Sequence, residues 1–255
     1  MKPWVKTLDS LTDHGRGLER KLHDVLVRAP DYTPDKEEEY KPDTQFMGNI
    51  FLAYDQFLEE EDERHGRFGD MFGSWMIENE MRNSATGQFF TPVHICDAMV
   101  QVSLPSRALE LGSSIVRFLD PAAGTGRFML RTAKHYHEHL GYYNFLFTNV
   151  DIDFRVYVFC VMNAILHHIP SIHIWGNSLS NKGYEMCVFY VDNGVPHWEF
   201  MDKEKTCNHM DTWFKFKSSI PNGQRSLVDI EKPPSRVEIR RRFKDMKTTV
   251  QKTLF

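Results

Sequence analysis

The sequence predicts an α/β fold: a mainly parallel sheet with crossover helices, preceded by N-terminal helices. Three observations predict it. Apolar runs at Ile115–Leu119, Phe145–Val150 and Ser171–Trp175 alternate with helical patterns, the spacing of parallel strands joined by crossovers. Each run leads to a polar residue, Asp120, Asp151 and Asn177 in turn. The first passes into a glycine turn, Asp120-Pro-Ala-Ala-Gly-Thr-Gly-Arg-Phe128, which opens a helix.

A chain of 255 residues is long enough for one large α/β domain or a core domain with a helical appendage. Its aromatic and aliphatic content suffices for a real core, which argues against a mainly disordered chain. The net charge of −4 gives no global sign of a nucleic-acid binder. Cys96, Cys160, Cys187 and Cys207 lie far apart with no Cys-x-x-Cys pair. That excludes a disulfide framework or a zinc cluster and predicts reduced thiols in a cytoplasmic protein. No apolar run is long enough to span a membrane, and the N-terminus has no signal-peptide pattern.

Three parts are expected: a helical region over 1–85, the core over 86–201 and a basic segment over 202–255. In the first, Leu18, Leu22, Val25 and Leu26 share a helical face, and Pro30 and Pro34 end the pattern. Residues 31–43 read as a polar linker. Phe46, Ile50, Tyr54, Phe57 and Leu58 then repeat at helical spacing. Glu59-Glu-Glu-Asp-Glu63 reads as a solvated turn before a second helix over Phe68–Met81. Residues 35–80 carry 14 acidic against 4 basic side chains, so this segment should not face phosphate. It reads as a helical layer covering one side of the core.

The core opens with Gly87-Gln-Phe-Phe-Thr-Pro92, followed by apolar residues at Ile95, Met99 and Val102. Thr91 is a competent N-cap and Pro92 suits the first helical position. After the glycine turn a helix runs to about Leu140, stopped by Gly141. It carries His135, His137 and His139, and only the first and last share a face; a solvated helix end accounts for them more simply than a metal pair. The strand Phe145–Val150 ends in Asp151-Ile-Asp153, a helix through Val156–Ile165 follows, and the next strand ends in Gly176-Asn-Ser-Leu179.

In open α/β sheets ligands sit at the carboxyl ends of the strands, so Asp120, Asp151 and Asn177 should line one crevice. Glycines there let the backbone approach a ligand, because no Cβ blocks it. Amides at the following helix start favour an anionic group. A carboxylate about thirty residues past the turn is placed for both hydroxyls of a ribose, and Asn177 for an adenine edge. The pocket reads as one for an adenosine-type cofactor. A nicotinamide dinucleotide fits less well: Gly124 and Gly126 are followed by Met129 where the third glycine of G-x-G-x-x-G belongs. No Gly-Lys-Ser/Thr follows a glycine loop, which excludes a phosphate-loop nucleotide site.

Gly-Gln-Phe-Phe-Thr-Pro followed by Asp-Pro-Ala-Ala-Gly-Thr-Gly-Arg-Phe resembles the N6-adenine DNA methyltransferases, notably the modification subunit of type I restriction systems and its shorter phage-type relatives. The resemblance covers roughly residues 44–180. It implies a Rossmann-like S-adenosylmethionine-dependent methyltransferase fold, with S-adenosylmethionine as cofactor and DNA as partner. A separate specificity subunit or a homo-oligomer would accompany it. Carried over by position, Phe90, Thr91 and Pro92 bracket the methionine end of the cofactor. Asp120, Pro121, Ala122, Gly124, Thr125, Gly126 and Phe128 form the floor. Asp151 takes the ribose hydroxyls beside Ile152, and Asn177 and Ser178 lie near the adenine. Ala123 stands where the family commonly has Cys.

One family signature is missing. The catalytic Asn/Asp-Pro-Pro-Tyr/Phe accepts hydrogen bonds from the target's exocyclic amine and stacks on the flipped base, and this sequence has no such tetrapeptide. Asp192 and Asn193, at the end of Met186–Val191, are weak stand-ins. They also read as a hairpin turn with Gly194, returning through His197–Phe200. Lys232-Pro-Pro-Ser235 keeps the prolines but reads better as the start of a helix capped by Ser235 and Glu238. Residues 203–255 carry 13 basic against 6 acidic side chains. Arg240, Arg241, Arg242, Lys244 and Lys247 surround the apolar face of that last helix. They fit a DNA-facing segment and equally the solvated side of a docked helix. Two functional readings follow: an adenine-N6 DNA methyltransferase, or a catalytically degenerate S-adenosylmethionine-binding protein serving as a regulatory or DNA-modification subunit. Methylation of RNA or protein is a weaker third.

Overall fold

The structure, a computed structural model, describes residues 1–12, 17–65, 68–81, 90–104, 115–141, 143–192 and 194–206. They divide between two compact units, one within Met1–Met81 and one within Arg82–Lys232.

The first unit is helical: α1 (Pro3–Asp9), α2 (Leu18–Arg28), α3 (Glu37–His65) and α4 (Met71–Glu78). The predicted stripe of α2, Leu18, Leu22, Val25 and Leu26, is buried. So are Phe46, Ile50, Tyr54 and Phe57 of α3, and Trp4 of α1 meets Phe57 edge-on at 5.1 Å. Two expectations fail here. The linker reading of 31–43 gives way to short 3₁₀ turns and then α3, whose first turn holds Glu37, Glu38 and Glu39. Carboxylates in that position complement the helix dipole. Nor do residues 59–63 form a turn; α3 continues through them to His65. Glutamate is a good helix former, and no glycine or proline interrupts the run. The next helix, α4, is shorter than the expected 68–81. Asp70 caps it, accepting from the Gly73 amide at 2.8 Å.

The second unit runs α5 (Val93–Ser103), β1 (Val116–Asp120), α6 (Arg127–Leu140), β2 (Phe145–Asp151), α7 (Phe154–His167), β3 (Ser171–Asn177), β4 (Lys182–Asp192), β5 (Val195–Met201). The five strands form one sheet in sequential order. β1, β2 and β3 are parallel neighbours, whereas β3–β4 and β4–β5 are antiparallel. The sheet is therefore mixed, and the expectation of a mainly parallel one is corrected. The reason is loop length. A parallel return needs a crossover of about a dozen residues or more, and only 178–181 separate β3 from β4. The predicted Asp192–Gly194 hairpin then turns β4 into β5, with Gly194 at φ +79°.

One face of the sheet carries both crossover helices. Phe128 of α6 packs against Phe147, which stacks on Phe118 at 4.9 Å, and Tyr136 of α6 also meets Phe118. On the same face Tyr157 of α7 donates to Glu185 of β4 at 3.1 Å. The other face gathers Val150, Ile172, Ile174 and Met186 into an apolar cluster. The three parallel strands thus end together, with their turns and helix starts along one edge.

Candidate functional site

The carboxyl ends of β1 and β2 bring the glycine turn and two carboxylates to one place. β1 and β2 pair Asp120 with Asn149, so Asp151 lies two positions further along the neighbouring strand. The turn between β1 and α6 is held from several sides. The Ala123 amide donates to the Val150 carbonyl at 3.0 Å, and the Gly124 amide to Oδ2 of Asp151 at 2.8 Å. From α7, Nδ2 of Asn163 donates to the Thr125 carbonyl at 2.9 Å.

The two glycines have different jobs. Both have positive φ, +56° at Gly124 and +85° at Gly126, a region costly for other residues. A Cβ on Gly126 would come within 2.6 Å of Cys160 Sγ, so that glycine lets the turn rest on α7. A Cβ on Gly124 would meet nothing within 4 Å. Gly124 faces open space, the side on which a ligand can approach. α6 starts immediately after, with Gly126 as an N-cap that has no side chain to accept from the first-turn amides. Those amides leave an anion-favouring end.

The carboxylates are strongly placed. Asp151 accepts from Gly124 through Oδ2 and from the Asp153 amide through Oδ1 at 2.9 Å. The Ile152 amide also favours the charged form of Asp151, and a carboxylate has acceptor capacity beyond these backbone bonds for a ligand hydroxyl. Asp120 accepts from the Ala122 amide at 3.2 Å. Loss of solvation raises both carboxyls above their ordinary range. For Asp120 the Ala122 bond opposes this and the nearby Asp151 charge adds to it; for Asp151 the Asp153 and Gly124 amides oppose it. Two desolvated negative charges in one crevice favour a cationic group between them.

Phe90 and Thr91 are tied to the turn by a residue that sequence reasoning passed over. Arg127 Nη1 donates to the Thr91 carbonyl at 2.8 Å, and its guanidinium lies over the Phe90 ring at 5.7 Å. Gly87, Gln88 and Phe89 of the same motif lie outside the described residues. The helix expectation there needs two corrections. α5 begins at Val93 with Pro92, not Thr91, as N-cap, and no side chain caps it. Its buried face is Cys96 and Val100, while Ile95, Met99 and Val102 are exposed at 43%, 45% and 86%. The helix is turned so that Asp97 pairs with Arg131 of α6, through Nε–Oδ1 at 2.5 Å and Nη2–Oδ2 at 3.1 Å.

Other expected residues take varied positions. Pro121, Ala122 and Ile152 are exposed at the crevice. Thr125 is buried, and Phe128 packs on Phe147, so these two support the floor from within. Asn177 Oδ1 accepts from the Leu179 and Ser180 amides at 3.0 and 3.1 Å, closing the turn that includes Ser178. Beside it Trp175 donates to the Ile152 carbonyl at 3.1 Å and contacts Phe154 and Tyr184. His135 and His139 lie side by side on α6, their rings 4.1 Å apart and tilted by 33°.

Asp192 is not brought to this edge. β4 runs antiparallel to β3, pairing Lys182 with Asn177 and Phe189 with Ser171. Asp192 therefore lies at the amino ends of the parallel strands, about ten residues, or roughly 33 Å of strand, from the crevice edge. Asn193, Lys232-Pro-Pro-Ser235, Arg240, Arg241, Arg242, Lys244 and Lys247 lie outside the described residues.

Asn163, Cys160 and Arg127 form the grip on the turn that was not anticipated. Asn163 did leave a signal: it is a polar residue inside the apolar run Val158–Ile165, and a buried amide needs partners. Among the described residues no helix is long and apolar enough to cross a membrane. No solved structure matches the chain. The family model for N-6 DNA methylases matches residues 63–228, a span that includes the glycine turn, Asp151 and the Asn177 turn. The chain belongs to the N-6 DNA methylase family.

Proposed function

We propose that this chain is an S-adenosylmethionine-dependent DNA methyltransferase acting on adenine N6, of restriction-modification or phage type. The observation that carries the reading is the glycine turn anchored between Asp120 and Asp151, with Gly124 open to the crevice. The donor set suits that cofactor: carboxylates for a sulfonium and ribose hydroxyls, and uncapped amides of α6 for an amino-acid carboxylate. When bound, the cofactor supplies an electrophilic methyl group. Asp151 would hold the ribose through its remaining lone pairs, and the exposed Ile152 would lie beside the adenine. Phe90 and Thr91, fixed by Arg127, would close over the methionine end. Holding two reactants in line accounts for much of the acceleration in such a transfer.

The second reading, a degenerate cofactor-binding subunit, rests on one observation. The chain has no Asn/Asp-Pro-Pro-Tyr/Phe, and Asp192 lies at the opposite end of the sheet. In either reading Arg240, Arg241, Arg242, Lys244 and Lys247 would supply the positive charge for DNA.

The test is transfer of tritiated methyl from S-adenosylmethionine to DNA of varied sequence. Label in the N6-methyladenine fraction is the expected result. Cofactor binding with no label in any DNA leaves the degenerate reading in its place. Reversing Arg240, Arg241 and Arg242 to Glu is expected to weaken DNA binding and flatten its salt dependence, read by a titration at several salt concentrations. An unchanged slope returns that segment to ordinary packing.

A further inference from the structure

Asn163 occupies a costly position. It sits in the interior of α7, is fully buried, and is flanked by apolar residues on both sides. A buried amide without a partner costs roughly 1–3 kcal/mol, and asparagine is a poor residue for a helix interior. Its Nδ2 reaches a carbonyl 38 residues away in sequence, that of Thr125 between the two glycines. One turn earlier on the same helix face, Cys160 meets Gly126. α7 therefore presents two side chains to the underside of the glycine turn, one setting its height and one holding a peptide group.

The held group matters because of its direction. The Thr125 carbonyl is drawn into the core, toward a side chain with no solvent exposure, while Gly124 on the same turn faces open space. Both neighbours of Thr125 are glycines with positive φ, so the backbone here has other conformations open to it. The peptide after Thr125 is held at both ends, its carbonyl by Asn163 and its Gly126 amide by the Ala123 carbonyl at 2.9 Å. A rotation of the peptide that follows Thr125 would aim a carbonyl oxygen toward the start of α6. A partial negative charge there would cancel the preference of those amides for an anion.

We propose that Asn163 is a positioning residue that gives the crevice its preference for an anionic ligand group, by keeping the Thr125 carbonyl turned inward. The inference rests on the cofactor reading above, in which that group is the amino-acid carboxylate of S-adenosylmethionine. Asn163 acts through Thr125 and touches neither cofactor nor substrate.

The experiment compares two probes that differ only in the carboxylate: S-adenosylmethionine and decarboxylated S-adenosylmethionine. Each is titrated into the full chain and into Asn163→Leu, which keeps the branched shape and the number of side-chain heavy atoms and removes the donor. The wild type is expected to prefer S-adenosylmethionine. In Asn163→Leu that preference is expected to shrink by about tenfold, the factor that corresponds to ~1.4 kcal/mol. The loss should fall on S-adenosylmethionine, with decarboxylated affinity within about twofold of wild type. Equal weakening of both probes, or an unchanged preference, overturns the proposal. If Asn163→Leu gives no cooperative melt, Asn163→Ser takes its place, with a smaller shift expected in the same direction. Failure of both variants to fold also overturns it, because Asn163 is then a support of the core. A well-folded wild type that binds neither probe removes the cofactor reading itself. Binding by the wild type with unaltered preference in the variants removes only the role of Asn163.

Discussion

The two halves of the sheet end their strands in different ways. In the parallel half, β1 and β2 each stop at a carboxylate and pass through a turn into a helix, so side-chain charge and backbone amides converge. In the antiparallel half, β4 stops at Asp192 and folds straight back into β5 through Gly194. A hairpin spends its backbone groups on the ladder, whereas a crossover leaves helix-start amides free to meet a ligand. Both halves carry a strand-end aspartate, yet only the parallel half brings a glycine turn and a second carboxylate beside it.

Breaking the parallel half should have the largest effect. Gly126→Ala adds a methyl 2.6 Å from Cys160 Sγ at a φ of +85°. Overpacking and left-handed strain together should cost about 2–4 kcal/mol. A melt lowered by several degrees and loss of S-adenosylmethionine binding are expected. Gly124→Ala has the same kind of φ but no protein atom to meet. Its effect should therefore be smaller in the melt and still marked in the cofactor titration.

Asp151→Ala comes next. It removes the acceptor of the Gly124 and Asp153 amides, and bonds to a charged group contribute about 1.5–3 kcal/mol. S-adenosylmethionine affinity should fall at least ~10-fold; unchanged affinity removes the ribose assignment. In the wild type, affinity should also weaken as pH falls into the range just above the ordinary carboxylate value, where the raised Asp120 and Asp151 groups take up protons.

His173 marks the seam between the halves, on β3, and its effect is readable only through pH. It is fully buried, Ser171 Oγ lies 2.8 Å from its Nε2, and loss of solvation pushes its pKa down to about 3. Between that value and the ordinary 6.5 the unfolded chain takes up a proton that the folded chain does not. Stability is thus fully present above about pH 6.5 and declines as pH falls toward 3, by up to ~1.4 kcal/mol per pH unit. His173→Gln should flatten this part of the profile in urea titrations between pH 6.5 and 4. A profile identical to wild type would contradict the assignment.

The smallest effect belongs to the antiparallel half. Asp192→Ala, at an exposed strand end far from the crevice, should change stability by no more than about 0.5 kcal/mol and leave the cofactor titration unaltered. A loss of binding as large as that of Asp151→Ala would erase the distinction between the halves.

The sequence made the parallel half easy to read for a physical reason. Apolar runs ending in Asp120, Asp151 and Asn177, with crossover-length helical patterns between them, are local signals. What escaped depended on tertiary choice. The pattern Ile95, Met99, Val102 is a valid helical face, but the Asp97–Arg131 pair turned Cys96 and Val100 inward instead. Thr91 had the chemistry of a cap, yet its carbonyl went to Arg127 and Pro92 took the N-cap position. The acidic run at 59–63 has the charge of a solvated turn, but the helix propensity of its glutamates carries α3 through to His65. The antiparallel turn hinged on a four-residue gap after Asn177 whose strand boundaries periodicity alone could not fix. Asn163 was visible as an oddity, but its partner across 38 residues was not.

The most direct measurement is a calorimetric titration of S-adenosylmethionine into the wild type, Asp151→Ala and Asp192→Ala, each verified as folded by its melt. Saturable binding by the wild type and Asp192→Ala, and marked weakening in Asp151→Ala, are expected if the parallel half is the cofactor site. No binding by the folded wild type, or equal binding by all three proteins, would contradict it.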